Sequence, residues 1–191
     1  MTPEQWEKIK KTGFADRMNF TGFSFCGEKL AGFQFRNCIF DGVDFRNTAF
    51  TAVSFQGENT VFSDNSLIEA TWERVVFQVD EISNCKFEQS DLKQCVQNMK
   101  KEALETEHNS FAGSRCRKLA FQNVRGVGEN FSHALLDQCV FQECSYENSV
   151  FFRCQASGCA WANTVMVNTT FDEADFSRMN MNGCRCSGTK S

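Results

Sequence analysis

The 191-residue sequence has little of several residue types that most folds use, with one proline, one tyrosine and two histidines. It also lacks long apolar segments, because no run approaches the ~18 residues that predict a membrane-spanning helix. The N-terminal residues MTPEQWE show no basic flank followed by a hydrophobic stretch, so we expect no secretory signal and a cytoplasmic location. Basic residues are not in excess either, since 20 face 24 acidic residues and the net charge is −4. The composition predicts neither a membrane protein nor a direct binder of nucleic acid.

Catalytic motifs are missing as well. The sequence contains no GxSxG, no HExxH and no glycine-rich phosphate-binding loop. Gly126 and Gly128 lie inside a repeat frame and are interpreted as positions of backbone freedom. His108 closes a segment rich in helix formers, and His133 falls at an outward turn position. We therefore predict no enzymatic activity, no catalytic residue, no cofactor and no metal site.

Phenylalanine, in contrast, is abundant, with 21 residues, and most of them recur at a fixed spacing. The first array places an apolar residue every five positions: Phe20, Phe25, Leu30, Phe35, Phe40, Phe45, Phe50 and Phe55. Five is neither the helical nor the strand period, and a fixed short repeat is typical of a solenoid. After Gly57 the frame slips by two residues, which we interpret as a small loop at one corner. It then continues with Phe62, Leu67, Trp72, Phe77, Ile82, Phe87 and Leu92.

A third run of pentads begins at Phe111 and extends to Cys186 in one frame. The residue two positions before each centre is usually small, as Cys38, Val43 and Thr48 are before Phe40, Phe45 and Phe50. Residues two apart on an extended segment point the same way. Each pentad is therefore predicted to send one large and one small side chain inward and then to turn.

Several of these units carry a family resemblance: Cys38–Gly42 (CIFDG), Val43–Asn47 (VDFRN) and Ala174–Arg178 (ADFSR). They resemble the repeats of pentapeptide-repeat proteins, in which a small residue, often Asp or Asn, precedes Leu or Phe and two polar residues. The resemblance covers roughly residues 18–188. It implies an all-β fold, a right-handed quadrilateral β-helix with four pentads in each coil. Residues 20 apart then lie about 4.8 Å above one another, which predicts a column of Phe111, Phe131, Phe151 and Phe171.

We expect one domain, 1–191, divided into a cap, two arrays and an excursion. The cap is a helix at 3–13, with Thr2 as N-cap, Gln5 completing a capping box, and Trp6, Ile9 and Phe14 as its apolar face. The first β-helix array covers 18–92 and the second covers 111–188. Between them, 93–110 interrupts the periodicity, and helix formers dominate from Gln97 to His108. The sequence predicts that this segment projects as a helical excursion.

The excursion is the candidate functional site, because solenoid insertions often bind partners. Its candidate protein-binding residues are Met99, Glu102, Leu104, Glu105 and Glu107. The alternative is structural: Val96, Met99 and Leu104 fold back onto the stack and cover a face.

The 11 cysteines admit a disulfide framework, a metal site or free core thiols. Most of them occupy inward positions of the pentads, where a thiol behaves as a small hydrophobe. Cys139 and Cys159 are 20 apart, so their spacing permits a bridge. We favour free core thiols, because no CxxC pair is present and zinc ligation has no support in the spacing.

The resemblance also carries expectations about function and assembly. Some pentapeptide-repeat proteins bind DNA gyrase or topoisomerase IV as mimics of duplex DNA and protect against quinolones or toxins, and the two interruptions here give a similar layout. The chain differs from these in lacking a C-terminal helix and in its modest charge. The alternative is a secreted bacterial effector or an adaptor scaffold with another protein partner. An uncovered last coil further predicts a homodimer through the C-terminal coil, unless the polar tail folds over that end.

Overall fold

The pentads fold into a parallel β-solenoid of about 8 turns with one short N-terminal helix. The computed structural model describes residues 1–57, 60–79, 81–97 and 104–189. The helix is α1 (Pro3–Thr12). The strands are β1 (Phe14–Asp16), β2 (Lys29–Ala31), β3 (Gln34–Arg36), β4 (Ile39–Asp41), β5 (Ala49–Thr51), β6 (Ser54–Gln56), β7 (Val61–Ser63), β8 (Thr71–Glu73), β9 (Val76–Gln78), β10 (Glu81–Ser83), β11 (Asp91–Lys93), β12 (Val96–Gln97), β13 (Leu104–Glu107), β14 (Arg115–Arg117), β15 (Ala120–Gln122), β16 (Val124–Val127), β17 (Leu135–Asp137), β18 (Val140–Gln142), β19 (Ser145–Glu147), β20 (Ala160–Ala162), β21 (Val165–Val167) and β22 (Arg185–Ser187).

Successive pentads supply the four faces of a rod with a square cross-section. Face 1 is the sheet β1-β3-β6-β9-β12-β15-β18-β20, and face 2 is β4-β7-β10-β13-β16-β19-β21-β22. Face 3 is held by isolated parallel bridges, such as the one between Asn130 and Val150. Face 4 is the sheet β2-β5-β8-β11-β14-β17. The predicted quadrilateral β-helix is confirmed.

Most corners of the rod are made by one residue in the left-handed conformation. It is the second residue after the centre of a pentad, as with Asn37 (φ 52°) after Phe35 and Gly42 (φ 60°) after Phe40. Glycine enters this region freely and asparagine does so more readily than most residues. The local sequence therefore explains why each five-residue unit turns the chain by one corner.

The register between coils shows where the repeat is interrupted. Most stacked residues are 20 apart, as in the pair Phe35 and Phe55. Phe40 pairs with Phe62, a separation of 22, so the predicted slip of two residues near Gly57 is confirmed. Ile82 pairs with Thr106, a separation of 24. Four extra residues are therefore accommodated between β12 and β13, at the same corner between faces 1 and 2.

The prediction of a helical excursion over 93–110 is wrong for most of that segment. Residues 96–97 form β12 on face 1, and 104–107 form β13 on face 2. Ser110 then bridges to Lys86 and Asn130 on face 3. Tertiary pairing on both sides overrides the helix propensity of the sequence LETE. The remaining residues, 98–103, lie outside the described part of the chain.

The predicted column of phenyl rings is present. Ring centroids of Phe111 and Phe131 are 4.8 Å apart, and those of Phe131 and Phe151 are also 4.8 Å apart, with interplanar angles of 2° and 7°. Phe171 continues the column at 5.4 Å from Phe151. Stacked rings contribute about 0.5–1.5 kcal/mol per pair beyond the area they bury, so the column adds directly to the stability of the rod.

Helix α1 closes the N-terminal end of the rod, as predicted. Thr2 and Gln5 form the capping box. The Trp6 ring packs edge-on against Phe25 at 5.0 Å and Ile9 is buried. Phe14 does not belong to this apolar face, because it starts β1 with its side chain exposed and the Arg36 guanidinium over its ring. The described part of the chain includes no helix with the length and apolar character needed to span a bilayer.

Candidate functional site

Three of the five predicted contact residues lie on strand β13, at the corner where the four extra residues enter. They are Leu104, Glu105 and Glu107. Met99 and Glu102 lie outside the described residues. The described part of the candidate site is therefore a regular strand inside the sheet of face 2, next to the corner between faces 1 and 2.

Leu104 belongs to the interior and is not available to a partner. It is 1% exposed and stands beside Val124 in the register of β13 and β16. It occupies the small inward position of its pentad, so it fills the core. For this residue the alternative interpretation, a segment that folds back onto the stack, is correct.

Glu105 and Glu107 point outward, and both side chains are more than half exposed. Glu105 Oε1 lies 3.3 Å from Nη1 of Arg125 on the next strand. Glu107 Oε1 lies 3.3 Å from Nδ1 of His108. Exposed pairs of this kind contribute little to stability, so both carboxylates remain free to exchange these contacts for those of a partner.

Strand β10 lies beside β13 on the same face, a neighbour that the sequence did not predict. The parallel pairing of β10 and β13 places Glu81 directly opposite Glu105. The signal was the 24-residue spacing, because only that register brings positions 81 and 105 together.

Two exposed valines flank these acids on face 2. Val61 precedes Glu81 in the row of paired residues, and Val127 follows Glu107. Both are among the exposed large hydrophobic residues of the chain. We name this surface, made of Glu105, Glu107, Val61 and Val127, the acidic patch.

The other faces differ from the acidic patch in their charge. On face 1, the described strands from β6 onward carry no charged residue at their outward positions, which hold Ser54, Gln56, Val76, Gln78, Ala120, Gln122, Val140, Gln142, Ala160 and Ala162. Face 4 carries charges that neutralise one another.

On face 4, Arg117 Nη2 lies 3.0 Å from Asp91 Oδ2, and Lys93 Nζ lies 3.8 Å from Glu73 Oε1. These four residues also line an open depression of about 250 Å³. Because cations and anions alternate there, the depression has no excess of one sign to attract a charged partner.

The cysteines lie where the pentad pattern predicts, eight of them buried as free thiols. Burial raises the pKa of Cys116 and of Cys144 to about 12, so both stay protonated at neutral pH. A hydrogen bond between Cys139 and Cys159 raises the pKa of the former and lowers that of the latter. Among the described residues, no three His, Cys, Asp or Glu side chains are arranged to hold a metal ion.

A sequence model of known repeats matches two parts of the chain. The model for pentapeptide repeats matches residues 19–57 and 149–188, which are stretches of the β-helix described above. These two stretches of the chain are pentapeptide repeats. No curated protein sequence matches this chain.

Solved structures of the same architecture include HetL, a pentapeptide-repeat protein involved in heterocyst differentiation regulation from the cyanobacterium Nostoc sp. strain PCC 7120. It is 12% identical with a TM-score of 0.39, and the match covers 97% of this chain and 94% of HetL. Full-length QnrB1, a plasmid-mediated fluoroquinolone resistance protein, is 16% identical with a TM-score of 0.31, covering 91% of this chain and 93% of its own. At these TM-scores neither structure supports an inference about partners.

Proposed function

We propose that this chain is a non-enzymatic binding protein of the pentapeptide-repeat family, that its contact surface is the acidic patch, and that its partner is a protein with a basic surface. The observation that carries the proposal is the exposure of Glu105 and Glu107 on strand β13, beside the four-residue insertion. The exposed valines beside these two residues offer apolar area for the centre of an interface.

The test is a quantitative affinity capture that compares matched charge reversals. Glu105→Lys with Glu107→Lys inverts the patch without touching the core, so partner recovery should fall at least tenfold. The control is Glu143→Lys, an exposed acidic residue at the corner between faces 1 and 2. Equal recovery by the double variant and the control would remove the acidic patch from the proposal. A deletion of 97–108 is unsuitable, because it removes strand β13 from the sheet.

A finer form of the proposal takes DNA gyrase or topoisomerase IV as the partner, with the acidic patch standing in for DNA phosphates. The family resemblance and the two insertions at one corner favour it. Charge density counts against it, since a duplex carries a charge every ~1.7 Å whereas strands on this face are spaced at about 4.8 Å. Supercoiling by gyrase, with and without a fluoroquinolone, decides between this form and an effector or adaptor with another partner. If micromolar protein neither inhibits gyrase nor protects it from the fluoroquinolone, gyrase is excluded as the partner. The broader proposal of a protein partner would still stand.

Pairing of two chains through the C-terminal coil is the assembly we propose. Met181 is 43% exposed there, and Phe171 and Phe176 are only partly buried. These residues line an open, mostly apolar depression of about 200 Å³. Light scattering of the purified protein should give a dimer mass, and Met181→Glu should give a monomer. A wild-type monomer at 100 μM or above would refute the pairing.

A further inference from the structure

Glu129 is an acidic residue inside the rod. It takes the small inward position two residues before Phe131, and its side chain is 2% exposed. The same position in the neighbouring coils holds Asn109 and Ser149, which are also buried. A polar column therefore runs behind faces 2 and 3, next to strand β13.

Hydrogen bonds tie this column to the backbone of several coils. Asn109 Nδ2 donates to Glu129 Oε1 at 3.2 Å and to the carbonyl of Ile82 at 2.9 Å. Asn109 Oδ1 accepts from the N–H of Cys85 at 2.9 Å. The two backbone bonds fix the orientation of the amide, so its NH₂ group faces the carboxyl group. The N–H of Glu129 donates to Ser149 Oγ at 3.1 Å.

Space for the Glu129 side chain comes from two small residues on face 2. Thr106 and Gly126 stand in register where other coils place large side chains. A Cβ on Gly126 would lie 2.9 Å from Glu129 Cγ and 2.7 Å from Tyr146 Cδ1. Gly126 does not have a positive φ, so the glycine is needed for room and not for backbone freedom, contrary to the sequence interpretation.

The cavity that remains beside Glu129 is too small to hydrate a carboxylate. It measures about 10 Å³ and is lined by Thr106, Asn109, Glu129 and Tyr146 among others. This is the lower limit for a single water molecule. Tyr146 Oη lines the same cavity, and it has no hydrogen-bond partner among the described residues.

The charged and titratable groups around Glu129 do not compensate a negative charge. Glu107 from β13 repels it, Tyr146 from β19 and Cys85 from two coils earlier are uncharged at neutral pH, and His108 is exposed beside Glu107. Among the described residues no lysine or arginine bonds to its carboxyl group. Burial raises the pKa of Glu129 to about 8, with hydrogen bonds from Thr106 and Asn109 acting in the opposite direction.

We propose that Glu129 is a proton-operated lock on strand β13. When its carboxyl group is protonated, Glu129 holds the strand between the neighbouring coils. When the carboxyl group is ionised, the packing of the strand against these coils is weakened. The proposal concerns the strand that carries the acidic patch, but it does not depend on a partner. The folded state retains the proton that an unfolded glutamate releases near pH 4.5. The contribution of protonated Glu129 to the free energy of unfolding is therefore complete below about pH 4.5, and it is lost as the pH rises towards about 8.

Amide hydrogen exchange of the wild-type protein at pH 6 and pH 9, corrected for the intrinsic rates, tests the lock directly. Protection at residues 104–110 and 124–131 should fall at least tenfold at pH 9, while residues 35–55 at the other end of the rod should keep theirs. Unchanged protection in 104–110 and 124–131 would overturn the proposal, and so would an equal loss in all three segments.

Glu129→Gln assigns the effect to this residue, because the amide has nearly the same shape as the protonated acid and cannot ionise. The variant should keep its protection at pH 9, and its Tm should change by several degrees less than that of the wild type between pH 5 and pH 9. Glu129→Ser, the residue found one coil further at 149, provides a second test if the glutamine variant does not fold. Glu143→Gln, an exposed control, should behave as the wild type does. The same pH response in the wild type and both Glu129 variants would exclude Glu129 as the lock.

Discussion

The interior columns behind faces 2 and 3 follow the same repeat yet are filled in different ways. Behind face 3, Phe87, Phe111, Phe131, Phe151 and Phe171 stack one above another with nearly parallel rings as far as Phe151. Behind face 2, the corresponding positions hold Ile82, Thr106, Gly126, Tyr146 and Met166. In the uniform column, repeated ring contacts stabilise the rod. A mixed column leaves room for a polar group, and here that group is Glu129.

The difference matters because the mixed column lies directly under the acidic patch. Thr106 and Gly126 face inward on the strands that carry Glu105, Glu107 and Val127 outward. The same strands that present charge to solvent thus enclose a buried carboxyl group.

The largest expected effect comes from breaking the uniform column. Phe131→Ala removes a ring that stacks on Phe111 and on Phe151, and should cost about 3–5 kcal/mol of the free energy of unfolding. Denaturant unfolding measures this value. Phe131→Leu keeps most of the buried volume and should cost less. A loss below about 2 kcal/mol for the alanine variant would show that the rings are not what holds these coils together.

A smaller loss is expected from filling the mixed column. Gly126→Ala places a methyl group against Tyr146 and Glu129, and should cost about 1–3 kcal/mol through overpacking. The same unfolding measurement on Gly126→Ala combined with Tyr146→Leu should recover part of this cost, since the bulk that the methyl group meets is reduced. Strict additivity of the two substitutions would contradict the proposed clash.

The smallest effect is expected from removing one hydroxyl group. Tyr146→Phe deletes Oη, a buried atom without a hydrogen-bond partner in the described structure. The free energy of unfolding should stay within about 1 kcal/mol of the wild-type value or rise, because no protein hydrogen bond is lost. A loss well above that value in thermal unfolding would indicate that Oη makes a bond essential to the cluster.

The architecture could be predicted from the sequence because the information is local. A large residue every five positions and a small one two before it predict one extended segment and one turn per pentad. The column Phe111, Phe131, Phe151 and Phe171 then follows from four corners per coil. The helix α1 was equally readable, since Thr2, Pro3 and Gln5 are local signals for a helix start.

The candidate site could be predicted only in part, because its contacts depend on register across an insertion. The helix formers between Gln97 and His108 predicted a helix where the structure has strand β13. The pairing of β13 with β10 and β16 outweighs the local helix propensity. The inward orientation of Leu104 and the opposition of Glu81 to Glu105 follow from the 24-residue offset, which no five-residue pattern reveals.

By itself, the sequence determined that this protein is a solenoid of five-residue units with a helical cap, since the pattern of each pentad favours an extended segment followed by a turn. Only the tertiary structure decided how the coils stack across the extra residues. It placed Glu129 against Asn109, made room for it with Gly126, and brought the acidic patch together, because stacking across extra residues is set by packing between coils.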